Sequence, residues 1–496
     1  MIDVTSFGES IVEVRQEIVG TGMLAFTWNW QLDGWIVLAG VLGAVASSLL
    51  GCFLLLRKMS LLGDAISHAV LPGLAGAFLI SGSRSSVWMF VGAVLVGILT
   101  AVLTDWIHRK GQVDEGASMG VVFTTLFAGG LLMIVIAADR VDLDPGCVLY
   151  GAIEQTPWDQ WTISMPGGWS FDVPRVVFVL SIVTFINAAC VILFFKELKL
   201  ATFDPALATA SGFSATAIHY VLMTLVAVTA VACFESVGNI LVVAMLIVPP
   251  ATAYLLTNRL GWMLCLACLI AAGSAVVGHI AAVEVPTWFG FRSTTTAGMM
   301  SVTAGGAFVL AFLFAPQQGM LPRWVRQQGL RWSILSDDVL TLLYRLEEKA
   351  IEENVSAVAA PVDSANKSAI DWVAETLLTR PSAARWAIRF HQWRGRVEPL
   401  SSQAGHASSL FNDEFLPRLT HTGREEAETI VRSHRLWEQY LVTKVDLGNE
   451  RLHQTADEFE HFTDHDLQAR LDVQTDSPST DPHGKPIPTG NPPTDL

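Results

Sequence analysis

Charge is scarce in this sequence. Of 496 residues only 16% are Asp, Glu, Lys or Arg, while 51% are hydrophobic and the mean hydropathy is +0.45. That balance excludes an ordinary soluble globular chain of this length and makes a membrane protein the default class. Cysteine is sparse as well. The six thiols are Cys52, Cys147, Cys190, Cys233, Cys265 and Cys268, and all but Cys147 fall in or beside apolar runs where thiols behave as small hydrophobes, so no disulfide framework is expected. Cys265 and Cys268 form a CxxC without a second pair, inside an apolar run, which reads as helix packing rather than a zinc ribbon. No GxxxxGK[ST] phosphate loop occurs; the Gly484-Lys485 pair is followed by Pro486. The chain is therefore expected to bind no nucleotide and to be no enzyme. No basic segment precedes the first apolar run, where Asp3, Glu9 and Glu13 stand instead, so no secretory leader is expected.

What is abundant is hydrophobic sequence in long runs. A bilayer core about 30 Å thick takes roughly 20 apolar residues per helix. Runs near 35–56, 61–82, 87–107, 117–138, 174–195, 216–234, 238–257, 261–283 and 297–315 fit that length and predict about nine spans. The basic clusters Arg57-Lys58, Arg109-Lys110 and Lys196 with Lys199 occupy alternate connections, which places them, and the long tail, in the cytoplasm. Between 139 and 173 a polar stretch with Asp142, Asp144, Trp158 and Trp161 is expected to fold back against the outer face. The net charge of -15 is concentrated after Arg331, where helical patterns rich in Glu, Arg and His begin. The expected organisation is an N-terminal segment (1–34), a transmembrane domain (35–320), a soluble domain (331–476) and a disordered tail (477–496) of Pro, Thr, Asp and Gly.

Inside the second span, Asp64 and His68 stand one helical turn apart on one face. Ionisable groups at membrane depth cost about 2.5–3.5 kcal/mol each on insertion scales, so they are expected to face a protein cavity. An O,N donor pair suits Mn, Fe or Zn better than Cu(I). On chemistry alone the pair is equally a hydrogen-bonded helix contact without metal. Pro249 and Pro250 free backbone carbonyls within a later span, which serves either a packing kink or a cavity lining.

The segment Arg57-Lys58-Met59-Ser60-Leu61-Leu62-Gly63-Asp64-Ala65-Ile66-Ser67-His68-Ala69-Val70-Leu71-Pro72-Gly73 resembles the signature of the zinc/manganese/iron family of ABC transporter permeases. The stretch from Glu235 through Val237-Gly238-Asn239 to Pro249-Pro250-Ala251-Thr252-Ala253 and the closing Phe312-Leu313-Phe314-Ala315-Pro316 are similar to later motifs of that family. The resemblance implies a metal path through Asp64 and His68, with Glu235 and His279 as further candidates. It also implies a separate ABC ATPase subunit, an extracytoplasmic metal-binding protein, a second permease subunit and the bacterial inner membrane. The segment 200–212, with Phe203, Asp204, Pro205, Ala208 and Gly212, resembles the family's ATPase-coupling helix.

From 336 to about 471 the chain is similar to the diphtheria-toxin-repressor family of iron- and manganese-dependent regulators. His434 and Glu438 are i,i+4, and Asp457, Glu460 and His461 are i,i+3,i+4, so each set shares one helix face. With His453 and Asp338 they fill the ligand-type positions implied by the resemblance, whereas Thr341 stands where manganese sensors carry a carboxylate. The stretch 366–403 is expected to hold a winged helix-turn-helix with a basic helix from Pro381 to Phe390. DNA contact is electrostatically allowed, but a tethered domain searches DNA poorly, and an interaction or regulatory role is preferred. The expected fold class is thus an all-α polytopic membrane protein with a cytosolic, mostly α winged-helix and metal-binding domain. Its expected function is the permease subunit of an ATP-driven importer of Mn, Fe or Zn with a metal-sensing tail; the alternative is a membrane-tethered metal-dependent transcriptional regulator.

Overall fold

The computed structural model describes residues 28–81, 86–138, 153–164, 170–291, 294–352, 369–398, 417–445 and 449–489. The chain divides into two compact units, Met1–Arg323 and Trp324–Leu496. In the first, the spans are α1 (Asp33–Leu56), α2 (Leu62–Ser81), α3 (Ser86–Gly111), α4 (Glu115–Ala138), α5 (Arg175–Leu193), α8 (Ala215–Val237), α9 (Asn239–Leu256), α10 (Leu260–Trp288) and α11 (Thr296–Phe314). Two short helices, α6 (Phe195–Phe203) and α7 (Pro205–Ala210), join α5 to α8. Among the described residues nine helices are long and apolar enough to cross a membrane, in agreement with the apolar runs.

The helix α1 is the hub of this unit. It packs against α5, α8, α9 and α10, and Ala39, Ala44, Leu50, Cys52, Phe53 and Leu54 are fully buried. A second group joins α2, α3 and α4, and α8 bridges the groups through contacts with α1, α2 and α3. Lipid tails offer no hydrophobic drive for helix association, so close backbone approach at small residues does much of the work. Pro250 has no N–H, which leaves the Leu246 carbonyl without its α-helical donor. Gly51 of α1 sits against that carbonyl so closely that a Cβ there would stand 2.0 Å from the oxygen. The paired prolines therefore serve a helix contact with α1.

The 139–173 connection leads into a hairpin. β1 (Gln160–Ser164) pairs antiparallel with β2 (Ser170–Pro174), and Arg175 stacks over Trp161. Asp142, Asp144 and Cys147 lie outside the described residues.

In the second unit, α12 (Met320–Glu352), α13 (Ala369–Thr376) and α14 (Pro381–Trp393) enclose a core of Val339, Leu340, Leu343, Val373, Ala384 and Ile388. Val397 forms an isolated antiparallel bridge with Leu419. Then α15 (His421–Val445), α16 (Asn449–Glu460) and α17 (His465–Gln474) follow, with α15 packed on both others. The expected disorder from 477 is corrected as far as residue 489. Thr480 bridges Pro486, Ile487 packs with Leu436 and Leu471, and the Pro486 and Pro488 carbonyls accept from Arg435 and Arg432. Pro-rich composition does not preclude order where buried guanidiniums need acceptors.

Candidate metal sites

Asp64 and His68 lie in the first two turns of α2, so that His68 stands only about 9 Å along the axis from Leu62 at 1.5 Å per residue. The pair is at the start of the span rather than at its middle, beside the α1–α2 turn that carries Arg57 and Lys58. Asp64 Oδ1 is 3.5 Å from His68 Nε2, with the side chains 42% and 34% exposed. Both side chains thus remain accessible. The imidazole is framed by Phe123 and Phe127 of α4, with ring centroids 6.0 and 5.9 Å away. The positive end of the α2 dipole favours the carboxylate in its first turn. Pro72, four residues after His68, has no N–H to give, so the His68 carbonyl also lacks its helical donor.

His279 is placed elsewhere. It is 3% exposed and its Nε2 lies 3.1 Å from Asp33 Oδ1 in the first turn of α1, with Trp28 edge-on to its ring. His279 and Asp64–His68 are therefore at opposite ends of α1's neighbourhood and form no common site. The Glu235 side chain lies outside the described residues.

The coupling segment forms as a helix–turn–helix. Asp204 caps α7, its Oδ1 accepting from the Leu207 N–H at 2.9 Å, with Pro205 at the first helical position. Gly212 adopts a φ of +89° that ends α7. Phe203 and Leu207 are exposed, while Ala208 is buried. Beside this segment lies a charged cluster that sequence reasoning missed. Asp105, 7% exposed, accepts from Tyr220 Oη and Arg109 Nε, both at 2.7 Å, and its Oδ1 is 3.4 Å from His219 Nε2. Arg57 Nη1 is 3.2 Å from His219 Nδ1, and Arg57 Nε donates to Thr202 of α6 at 3.3 Å. These groups line a cavity of about 530 Å³ together with Lys58, His108 and Pro205. The cluster ties α1, α3, α6 and α8 together. The basic pairs at 57–58 and 109–110 were its only sequence signal, and they suggested orientation rather than contact.

In the second unit the predicted ligands converge. Among the described residues, three groups bring donor atoms within 4.8 Å of one another: His434, Glu438 and His453; His434, Asp457 and Glu460; and Asp338, Glu460 and His461. The first two share His434 and the last two share Glu460, which yields two adjoining nests built from α12, α15 and α16. His434 is buried, with Nδ1 2.7 Å from Glu460 Oε2 and Nε2 3.1 Å from Glu438 Oε1. His461 Nε2 lies 3.2 Å from Asp338 Oδ1, and Asp337, which sequence reasoning passed over, approaches Nδ1 at 3.5 Å. Burial alone would lower the His434 pKa, but hydrogen bonds to Asp457, Glu438 and Glu460 outweigh it and push it up to about 10. For His461 burial is likewise outweighed by bonds to Asp337 and Asp338, which push it up to about 10. Burial would raise the Glu438 carboxyl, yet the hydrogen bonds from His434 and His453 hold it well below the usual carboxylate range.

This donor set fits a divalent cation. It is all oxygen and imidazole nitrogen, with carboxylates in excess, and the buried Thr341 hydroxyl has no hydrogen-bond partner. Such a set matches Mn or Fe better than a thiolate zinc site. A third group holds the scaffold: Glu347 accepts from the Leu419 N–H at 2.8 Å and pairs with Arg424, and Arg435 pairs with Glu348 at 2.6 Å.

Comparison with known proteins agrees with both halves. The family model for the ABC 3 transport family matches residues 31–164 and 173–315, and that for the iron dependent repressor, metal binding and dimerisation domain matches residues 420–489. The manganese transport system membrane protein MntD of Bacillus subtilis (strain 168) is 43% identical over 302 residues, 61% of this chain and 98% of the relative. The zinc transport system membrane protein TroD of Treponema pallidum (strain Nichols) is 38% identical, over 63% of this chain and 81% of the relative. Among solved structures, PsaBC from Streptococcus pneumoniae in complex with Fab is 29% identical with a TM-score of 0.47, over 60% of this chain and 94% of that one. With nine membrane-length helices carrying the family's match and a repressor-type metal-binding domain following them, this chain belongs to the ABC 3 transport family as a multi-pass membrane subunit.

Proposed function

We propose that the chain is the permease of an ATP-driven importer that carries Mn, Fe or Zn through the bacterial inner membrane, with its second unit in the cytoplasm. The observation that carries the reading is the half-open Asp64–His68 pair at the start of α2, in a chain whose relatives are named for manganese and zinc transport. A carboxylate and an imidazole replace part of an ion's water shell. Because neither group encloses the ion, it is passed on rather than trapped. ATP hydrolysis belongs to a separate ABC ATPase that docks on the exposed Phe203 and Leu207 of α6–α7, and a second permease subunit, identical or different, and an extracytoplasmic metal-binding protein complete the assembly. The Arg57–Thr202 bond and the Asp105 cluster link the docking segment to α1, α3 and α8, which gives the ATPase stroke a path into the spans.

The repressor-like unit supports a regulatory reading: with cytosolic metal bound, α12, α15 and α16 are cross-linked through His434, Glu438, His453, Asp457, Glu460, His461 and Asp338, and transport slows. A DNA-binding regulator is the second reading, favoured by the basic α14. Uptake of radioactive manganese, zinc and iron into cells tests the first claim. Asp64→Ala and His68→Ala are expected to lower uptake at least tenfold with insertion intact, and undiminished uptake would remove the proposed path. For regulation, Glu438→Gln with His461→Ala is expected to keep uptake fast in metal-loaded cells; uptake that still declines with loading counts against it.

A further inference from the structure

We propose that the exposed face of α14 docks on the anionic phospholipid surface of the bilayer in which the chain is embedded. On that face Arg385, Trp386, Arg389 and Trp393 follow one another at helical spacing, with Ala384, Ala387 and Ile388 on the opposite, buried face. Trp386 is 66% and Trp393 81% exposed, and Leu378 just before the helix is 94% exposed. Bare indoles at the surface of a soluble unit are costly in water and favourable at the headgroup level of a bilayer, where an apolar ring meets a wet N–H.

The charge points to the same surface. Between Glu375 and Glu398 the sequence has no carboxylate; Arg396 is paired with Glu426 at 2.7 Å, and the exposed Arg380, Arg385, Arg389 and Arg394 supply the charge. In a chain with a net charge of -15, this is a local cationic patch on an acidic background. A basic residue near an anionic leaflet contributes on the order of 1 kcal/mol, and interleaved Arg and Trp on one helix face is the pattern of an interfacial helix. Trp332 of α12 backs the face, its ring 6.4 Å from Trp386 and 6.1 Å from Phe390, so the indoles are mounted on a packed aromatic base. Arg394 lies over Phe390 at 5.1 Å, continuing the alternation.

Duplex DNA would meet the same charge, but two projecting indoles suit it poorly, since major-groove reading relies on amide, guanidinium and hydroxyl groups that match base edges. The two units are joined by a short connection: α12 begins at Met320, six residues after α11 ends at Phe314, and its first turns expose Leu321, Trp324 and Val325 with Arg323 between them.

The test uses the full-length chain in lipid nanodiscs and follows amide hydrogen exchange over 381–394. Exchange is expected to be about tenfold slower in discs containing phosphatidylglycerol than in discs of phosphatidylcholine. The conservative pair Trp386→Phe with Trp393→Phe should keep part of that protection, and Arg385→Gln with Arg389→Gln should abolish it, while exchange in α15 stays unchanged in both. Equal exchange in both lipids overturns the proposal. Protection that appears only on adding duplex DNA, regardless of lipid, overturns it in favour of a nucleic-acid surface.

Discussion

Replacing Gly51 with alanine tests how the permease core is closed. The added Cβ would stand 2.0 Å from the Leu246 oxygen, 2.8 Å from its carbonyl carbon and 3.0 Å from Pro250 Cγ, where ordinary contact begins at 3.4 Å. The shortfall to the oxygen is 3.4 − 2.0 = 1.4 Å, and the obstacle is backbone in a helix, which no rotamer change relieves. Either α1 and α9 move apart or the proline-broken turn distorts. Overpacking of this kind costs about 1–3 kcal/mol, against which alanine's better helix propensity returns up to about 1 kcal/mol. Gly273 of α10 isolates the second effect, because a Cβ there meets nothing within 4 Å. In nanodiscs, Gly51→Ala is expected to lower the thermal midpoint by roughly 2–8 °C, with uptake reduced, whereas Gly273→Ala leaves it unchanged or slightly raised. A Gly51→Ala midpoint at or above that of the unmodified chain would refute the claim that this contact sets the α1–α9 distance.

In the Asp105 cluster, Tyr220→Phe removes one bond to a carboxylate that keeps Arg109, whereas Asp105→Asn leaves Arg109 and His219 without their shared anionic partner. Asp105→Asn should therefore lower metal moved per ATP hydrolysed severalfold and Tyr220→Phe less so; an unchanged ratio in both separates the cluster from coupling. In the second unit, the raised His434 and His461 pKa values of about 10 mean that their stabilisation is complete below the unfolded value of about 6.5 and lost as pH rises towards 10. Glu438, depressed, contributes above its unfolded value of about 4.3 and loses that contribution as pH falls. Metal must displace the imidazole protons, so binding should release protons at pH 7 and tighten as pH rises; calorimetric heats independent of buffer ionisation enthalpy would contradict this. Glu347→Gln weakens the tie from α12 to Leu419 and Arg424, and because Arg424 is half-exposed the expected cost is about 1–2 kcal/mol, read as roughly tenfold faster amide exchange at Leu419.

The spans were legible because membrane crossing is written in one dimension, as run length, and nothing in tertiary structure has to be known to count it. The ligand-bearing helices were legible for a similar reason: His434 with Glu438, and Asp457 with Glu460 and His461, are local repeats of a helical turn. What the sequence hid is contact across distance. Asp105 meets Tyr220 from 115 residues away, and Arg57 meets His219 from 162; neither has a neighbour that announces it. Asp33 as the partner of His279 was hidden in the same way. The stretch 477–489 was misread because composition reports the intrinsic habit of Pro, Gly and Thr, while order there comes from partners in α15.

Arg432 and Arg435 each face the 481–488 stretch on one side and an acidic residue, Asp472 or Glu348, on the other, and Arg435 is the residue after His434. A protease that clipped the chain near 477 would remove no proposed ligand, yet it would strand these cations next to one. The turn at 480–488 thus behaves as a bracket for the ligand helix, and its loss should be felt first in how tightly an ion is held.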